Sequence, residues 1–396
     1  MEIIIKNGKD SSIFYNGVFY DTNKTIDMDI SDALRLSRIV NVEYKDMEKY
    51  QYDPQTWKER KLNLVSDIDV TSGWGNASLN LIDSCKDVEF SAIGRSYDVH
   101  NPKVLAALKR PIVKNGVGIW HEQPKDTWKN SPFGKNIAIV PFETTRVPAS
   151  WVPKINLFDA LFVPCQQNVE MFQDSGVTIP IEVIHWGIDP KKFYPLERNN
   201  SVFTFGTMGA LSKRKGTDLL VEAFQKAFPT EQDVKLICKS SFNGFLWAKR
   251  DKRIEVNLTP VEHKELLDTF FKRIDCFVFP TRGEGFGLPP LEAMATGVPA
   301  IVTNWSGPVD YMTEEVGWLL DYKMVPATEF TEGVYKEDCG DWAEPSLEDL
   351  IKKMRYAYEH KDEVKLKGRK SSDYVRENWT WDKRIGEFEE ALNKHL

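Results

Sequence analysis

The sequence predicts an α/β protein of two doubly wound units, each a parallel sheet wrapped by helices, facing a central cleft and preceded by a small N-terminal extension. Three observations carry that expectation. Two series of apolar strand patterns alternate with amphipathic helix patterns. A polar, proline-containing stretch, "WGIDPKKFYPLERNNS", separates them at about residues 187–200. The length of 396 residues, 41% of them hydrophobic, suits two cores better than one. No internal repeat or low-complexity tract suggests another organisation.

A net charge of -7 argues against a chain whose main partner is nucleic acid, although a local basic patch survives such a total. Cys85, Cys165, Cys238, Cys276 and Cys339 show no CxxC or His-paired spacing, so they read as reduced thiols of a cytoplasmic protein. "MEIIIKNGKDSSIFYNG" is too briefly apolar for a signal peptide or a membrane span. A soluble protein is expected, with peripheral membrane contact left open.

Taken in order, "MEIIIK" and "GVFYD" read as short strands and "ISDALRLSRIV" as a helix. These belong to an extension, residues 1–60. From Lys61 the pattern becomes regular: "NLVSDIDVT" strand, "NASLNLIDSC" helix, "VEFSAIG", "NIAIVPFE" and "ALFVPC" strands. The second series opens with "SVFTFGTMG" and the helix "TDLLVEAFQKAF", whose Leu219, Leu220, Ala223, Phe224, Ala227 and Phe228 share one face and read as core. "VKLICKS", "RIEVNLT", "DCFVFP" and "VPAIVT" follow as strands, with "HKELLDTFFKRI" as a helix.

"RGEGFGLPPLEAMATG", residues 282–297, follows the strand "DCFVFP", at the edge where doubly wound sheets bind ligands. Gly283, Gly285 and Gly287 allow a sharp turn and close approach of backbone N–H groups, and Pro290 and Gly297 bound a helix of about two turns. Its N-terminus suits a diphosphate. Glu284 and Glu292, placed in its first turn, would repel phosphate, so they are expected to accept hydrogen bonds from hydroxyl groups. A ligand with hydroxyls at both ends and phosphates between is a nucleotide sugar. An isolated pair at this spacing is more often a dipole complement and a solvated side chain.

The wider stretch "FVFPTRGEGFGLPPLEAMATGVPAIVTNWSGPVDYM" resembles the donor-binding segment of family four of the retaining glycosyltransferases, enzymes of GT-B fold marked by two glutamates separated by seven residues around GFG. The resemblance implies Glu284 beside the donor sugar, Glu292 on the ribose hydroxyls, and Gly285, Phe286, Gly287 and Leu288 lining the donor. "FGTMGALSKRKGTDLLVEAFQKAF" is similar to the opening of the donor domain, where a basic pair, here Arg214 and Lys215, grips the diphosphate. Many members carry an arginine five residues before the lysine. Here Ala210 stands there and Arg214 is expected to supply the charge. A cation pair just before a helix at a strand's end is independently a phosphate site. Lys239, ending "VKLICK", lies at the corresponding edge of the next strand. "VRENWTWDKRIGEFEEAL" resembles the final helix that crosses back to the first domain. The implied division is a Rossmann-like acceptor domain at 61–196, a nucleotide-sugar donor domain at 197–375, and the crossing helix at 376–396.

In the first domain "DVTSGWGNASLNLI" reads as GxGxxS, a dinucleotide fingerprint with Ser78 replacing its third glycine. In the glycosyltransferase reading Gly73 and Gly75 face the donor or acceptor instead. "NIAIVPFETTRVPASW" places Glu143 at a strand end on the acceptor side. Relatives use a histidine near this depth, for which His121 and His100 are the candidates. A lone histidine is more often structural, as His185 at the linker is expected to be. "FNGFLWAKRDKR" reads as an amphipathic surface helix with Phe245 and Trp247 inward, or as a patch for an anionic acceptor or a membrane. "KKMRYAYEHKDEVKLKGRK" reads as a solvated face.

The expected function is retaining transfer of a sugar from a nucleoside-diphosphate sugar to an unidentified acceptor hydroxyl, in polysaccharide or glycoconjugate biosynthesis. The resemblance implies that neither a cofactor nor a metal is needed. The alternatives are a nucleotide-sugar epimerase of the same architecture, using Glu143 with His121 as acid and base, a nicotinamide-dependent oxidoreductase using "SGWGNAS", and a catalytically silent binding module.

Overall fold

A computed structural model describes residues 2–6, 12–15, 18–28, 30–37, 42–44, 51–69, 72–97, 99–240, 251–259, 261 and 263–396. Most of "FNGFLWAKRDKR", with Phe245 and Trp247, lies outside the described residues.

Six short apolar runs form the first parallel sheet: β1 (Lys61–Val65), β2 (Glu89–Ile93), β3 (Val117–Trp120), β4 (Lys135–Ile139), β5 (Ala160–Val163) and β6 (Ile181–Val183). Their order is β6-β5-β4-β3-β1-β2. In β3 all four residues are buried, as expected where helices cover both faces. The second sheet contains β7 (Phe203–Met208), β8 (Val234–Lys239), β9 (Ile254–Asn257), β10 (Cys276–Phe279), β11 (Ala300–Thr303) and β12 (Gly317–Leu320). Its order, β9-β8-β7-β10-β11-β12, is the 3-2-1-4-5-6 winding of a Rossmann sheet, with the switch point between β7 and β10.

Three helices place the chemistry. In the first domain, α1 (Gly73–Ser84) starts where Ser72 Oγ accepts the Gly75 N–H at 3.0 Å. In the second, α2 (Thr217–Ala227) buries the predicted stripe, including Leu220 and Phe224, with Phe228 just past its end, against β7 and β8. The third, α3 (Leu288–Ala295), follows β10 and is apolar nearly all round because it is buried on all sides.

Two segments join the domains. The C-terminal chain folds as α4 (Lys361–Asn378) and α5 (Trp381–His395), broken at Trp379 and Thr380. There Ile188 N–H donates to Trp379 O at 2.9 Å and Trp381 N–H to Ile188 O at 3.0 Å. Past that break α5 lies on the first domain, burying Phe388, Ala391 and Leu392 with β1 and β4 residues. It also meets the extension, where Trp57 Nε1 donates to Asn393 and Arg60 pairs with Glu389 at 2.7 Å.

The second connection is an arm after β12: an antiparallel hairpin, β13 (Tyr322–Pro326) and β14 (Asp341–Pro345), closed by a wide helical turn at Glu329–Val334. Its Phe330 and Trp342 enter the first-domain core beside Phe142 and Trp151. Glu337 accepts from Ser150, and Arg146 pairs with Asp338. The extension forms its own antiparallel sheet from Glu2–Ile5, Thr25–Asp27 and Val42–Tyr44, with Leu34 reaching the first-domain core. All five cysteines are buried and free.

Candidate functional site

The carboxyl edges of the two sheets meet where β4 and β10 end. Pro280 to Gly287 leave β10 as a tight loop that presses on Pro141 to Glu143. A Cβ on Gly283 would lie 1.8 Å from the Glu143 carbonyl oxygen, and one on Gly285 2.4 Å from Pro141 Cβ. Glycine is required at both positions by contact between domains. Gly287, at φ +91°, caps α3 in the left-handed region. Tyr311 fixes this turn by donating its hydroxyl to Gly287 O at 2.5 Å.

Glu284 is the centre of the cluster. It is 6% exposed, and its carboxylate accepts from Lys215 Nζ at 2.7 and 2.8 Å and from Arg214 Nη1 at 3.2 Å. Ser306, at φ +62°, receives the Glu284 N–H on its hydroxyl at 3.0 Å. Arg214 Nη1 also donates to Gly283 O at 2.7 Å, while Nη2 lies 3.8 Å from Glu143 across the domain boundary. The guanidinium thus spans the boundary between the two domains, while Ala210, at the position where an arginine was expected, offers no charge.

Burial shapes the charges. It opposes the Arg214 guanidinium, but Glu143 and Glu284 outweigh it and raise the group above its usual value. Burial lowers the Lys215 ammonium despite Glu284, and raises Glu143 despite Arg214. The result is a pair of basic side chains held between the Glu284 and Glu143 carboxylates just before α2.

Glu292 lies two residues further into the helix than the sequence pattern suggests. The helix begins at Leu288 with Pro289 at its second position, not with Pro290 at its first, because the left-handed Gly287 already turns the chain. Glu292 thus sits in the second turn. It is 8% exposed, its carboxylate accepts no hydrogen bond among the described residues, and burial raises its pKa to about 7, with Lys192 as the opposing charge. The carboxylate keeps a little contact with solvent, so donors from outside the chain can reach it.

The other predicted residues are distributed more widely. Phe286 and Leu288 bury their side chains in the core, Phe286 among Trp186, Tyr311 and Trp379, so only their backbone can face a ligand. Lys239 is buried against β9, donating to Asn257 Oδ1 at 3.4 Å and to Thr259 O, and does not join Glu284. Gly73 and Gly75 form the first turn of α1. A Cβ on Gly75 would meet the Asp69 carboxylate at 2.2 Å, while the space at Gly73 is open. Ser78, in place of a third glycine, is buried and bonds Ser66 Oγ at 2.6 Å and His121 Nδ1 at 2.7 Å.

His121 is 2% exposed and stacks on Trp74, with ring centroids 5.2 Å apart. Its Nε2 is unpartnered, and burial pushes its pKa down to about 3. It lines a cavity of about 10 Å³ with Trp186, His185 and Arg384, and is not brought to Glu143. His100 is exposed. His185 sits at the hinge, 3.2 Å from Asp310 of the second domain and 3.0 Å from Glu387 of α5.

Sequence reading missed Arg282, Ser306 and Tyr311, and also two residues of the arm, Glu329 and Tyr335, that lie within electrostatic reach of Arg214. "NWSGP" did contain a turn signal for Ser306. The arm had none, since β13 is largely exposed. Among the described residues, no group of three or more His, Cys, Asp or Glu stands where it could hold a metal, and no helix is long and apolar enough to cross a membrane.

Comparison with known proteins places this geometry in context. Residues 189–334 match the family model described as glycosyl transferases group 1. The chain is 32% identical over 164 residues to the lipopolysaccharide core biosynthesis mannosyltransferase LpsB of Rhizobium meliloti (strain 1021), covering 36% of this chain and 46% of that protein. It is 25% identical over 201 residues to a GDP-mannose-dependent alpha-mannosyltransferase of Corynebacterium glutamicum, covering 48% of this chain and 46% of that protein. The match thus spans under half the length of either relative. Among solved structures, Anabaena Alr3699/HepE in complex with UDP-glucose superposes with a TM-score of 0.62 at 14% identity, covering 84% of this chain and 99% of that one. That likeness speaks for the fold.

Proposed function

We propose, for a GT-B chain whose residues 189–334 match the group 1 glycosyl transferases model, that it transfers a sugar, with retention of configuration, from a nucleoside-diphosphate sugar to an acceptor hydroxyl. The observation that carries this reading is the convergence of Arg214 and Lys215 on Glu284 at the head of α3. Diphosphate oxygens would take the two cations and the helix N–H groups, releasing Glu284 to accept from the sugar hydroxyls. Glu292 would accept from the ribose diol, which its empty carboxylate suits.

In the transfer, the bond between the anomeric carbon and the diphosphate oxygen breaks as the acceptor oxygen attacks from the same face. The acceptor proton passes to the departing phosphate, whose charge Arg214 and Lys215 stabilise, and the reading requires no metal. Glu143, raised by burial and aimed at Arg214 from the first domain, would orient the acceptor. The epimerase alternative needs an acid and a base facing one ring, and His121, enclosed by Trp74 and Trp186, is a poor partner for Glu143.

The test is turnover of UDP-glucose, GDP-mannose and ADP-glucose against octyl glycosides, following released nucleoside diphosphate and the anomeric configuration of the product by NMR. Transfer with the donor's configuration preserved supports the reading. An inverted product, or a donor converted to its epimer without transfer, contradicts it.

A further inference from the structure

Arg282 has no direct part in that chemistry, yet its side chain is only 3% exposed and spends every donor it has. An arginine carries five N–H donors in a planar fork. Nε donates to Glu344 Oε2 at 2.5 Å and Nη2 to Glu344 Oε1 at 2.7 Å. Asp218 receives Nη1 at 3.0 Å and Nη2 at 3.1 Å, and the remaining Nη1 donor goes to the carbonyl of Lys213.

The targets distinguish this cluster from a generic buried ion pair. Lys213 O belongs to the turn that presents Arg214 and Lys215, and the Arg282 backbone N–H donates to Arg214 O at 2.7 Å in the same turn. Gly216 closes that turn in the left-handed region, and a Cβ there would fall 1.8 Å from Pro280 O. Asp218 sits in the first turn of α2, immediately after the cations. Glu344 is on β14, and Ala343 N–H donates to Arg282 O at 3.0 Å. One guanidinium therefore ties the cation-bearing turn both to its own helix and to the arm rooted in the first domain.

We propose that Arg282 is a positioning residue which, clamped by Asp218 and Glu344, fixes residues 213–216 so that Arg214 and Lys215 meet the diphosphate of the donor. This rests on the donor-site reading above. A lysine cannot reproduce it, because an ammonium offers three donors from one point and cannot hold two carboxylates and a carbonyl in one plane.

The experiment compares a nucleoside with its diphosphate: calorimetric titration of uridine and UDP, guanosine and GDP, adenosine and ADP, with parent, Arg282→Lys and Glu344→Gln. The readout is the ratio of diphosphate to nucleoside affinity, which a general loss of stability would not change selectively. In Arg282→Lys the ratio is expected to fall by about tenfold or more, with nucleoside affinity held within about twofold. Glu344→Gln, which keeps a neutral acceptor, should shift the ratio the same way by a smaller factor, and decides the matter if Arg282→Lys does not fold. Parallel weakening of nucleoside and diphosphate, or an unchanged ratio, overturns the proposal. A parent protein that binds no diphosphate better than its nucleoside instead overturns the donor-site reading itself.

Discussion

Replacing Glu292 with glutamine should stabilise the ligand-free protein while damaging nucleotide binding. The carboxyl is buried without a hydrogen-bond donor, and burial moves its pKa from the ordinary 4.5 to about 7. A raised acid costs nothing where both folded and unfolded chains hold the proton. The parent therefore loses stability as pH rises from the unfolded value through the folded one. At about 1.4 kcal/mol per unit, the cost above the folded pKa approaches about 3 kcal/mol. Glutamine keeps the shape and removes the charge. Urea unfolding of parent and Glu292→Gln should show a gain under about 1 kcal/mol near pH 5, growing to about 3 kcal/mol above pH 8. If Glu292 accepts from the ribose diol as proposed, the same variant should also lose affinity for the nucleoside diphosphate. A gain that does not vary with pH, or a variant less stable than the parent at pH 8, would refute the reasoning.

Other perturbations test neighbouring parts of the structure. Burial opposes a charge on His185, but hydrogen bonds to Asp310 and Glu387 outweigh it and raise its pKa from 6.5 to about 9. A raised base stabilises fully below its unfolded value and loses that contribution as pH rises through the folded one. His185→Gln should therefore cost about 3 kcal/mol near pH 6 and progressively less as pH approaches 9, measured by urea unfolding. Gly283→Ala puts a methyl 1.8 Å from the Glu143 carbonyl oxygen, so it should part the domains at the site. The expected result is a drop in transfer rate of about a hundredfold with near-parent circular dichroism; an unchanged rate would show that the contact does not matter.

Much of this was legible in the sequence, for physical reasons. The carboxyl-edge loop carries glycines that close approach demands, and Arg214, Lys215 and Glu284 lie in contact because the switch point of the sheet brings β7 and β10 together. The stripe on α2 was readable because one face is buried and the other is not. β3 went unread because Gly118 interrupts its short apolar run and the turn-like "KNG" stands just before it. The arm was invisible for another reason: β13 is mostly exposed, and the arm's partners Phe142 and Trp151 lie far away in sequence. Arg282 was hidden beside a louder motif, since its importance comes from Asp218 and Glu344, which no local pattern links to it. His121 illustrates the limit of residue type as a guide. Its chemistry suits proton transfer, while its burial under Trp74 holds it neutral and enclosed.

The measurement that tests the central claim most directly is calorimetric titration of UDP, GDP and ADP into the parent protein, Lys215→Ala and Arg214→Ala. The expected result is binding of one diphosphate by the parent, weakened by about tenfold or more in each variant, because each removes a charge-assisted contact to phosphate. Parent-like affinity in both variants, or no diphosphate bound by the parent, would contradict a donor site built on Arg214, Lys215 and Glu284.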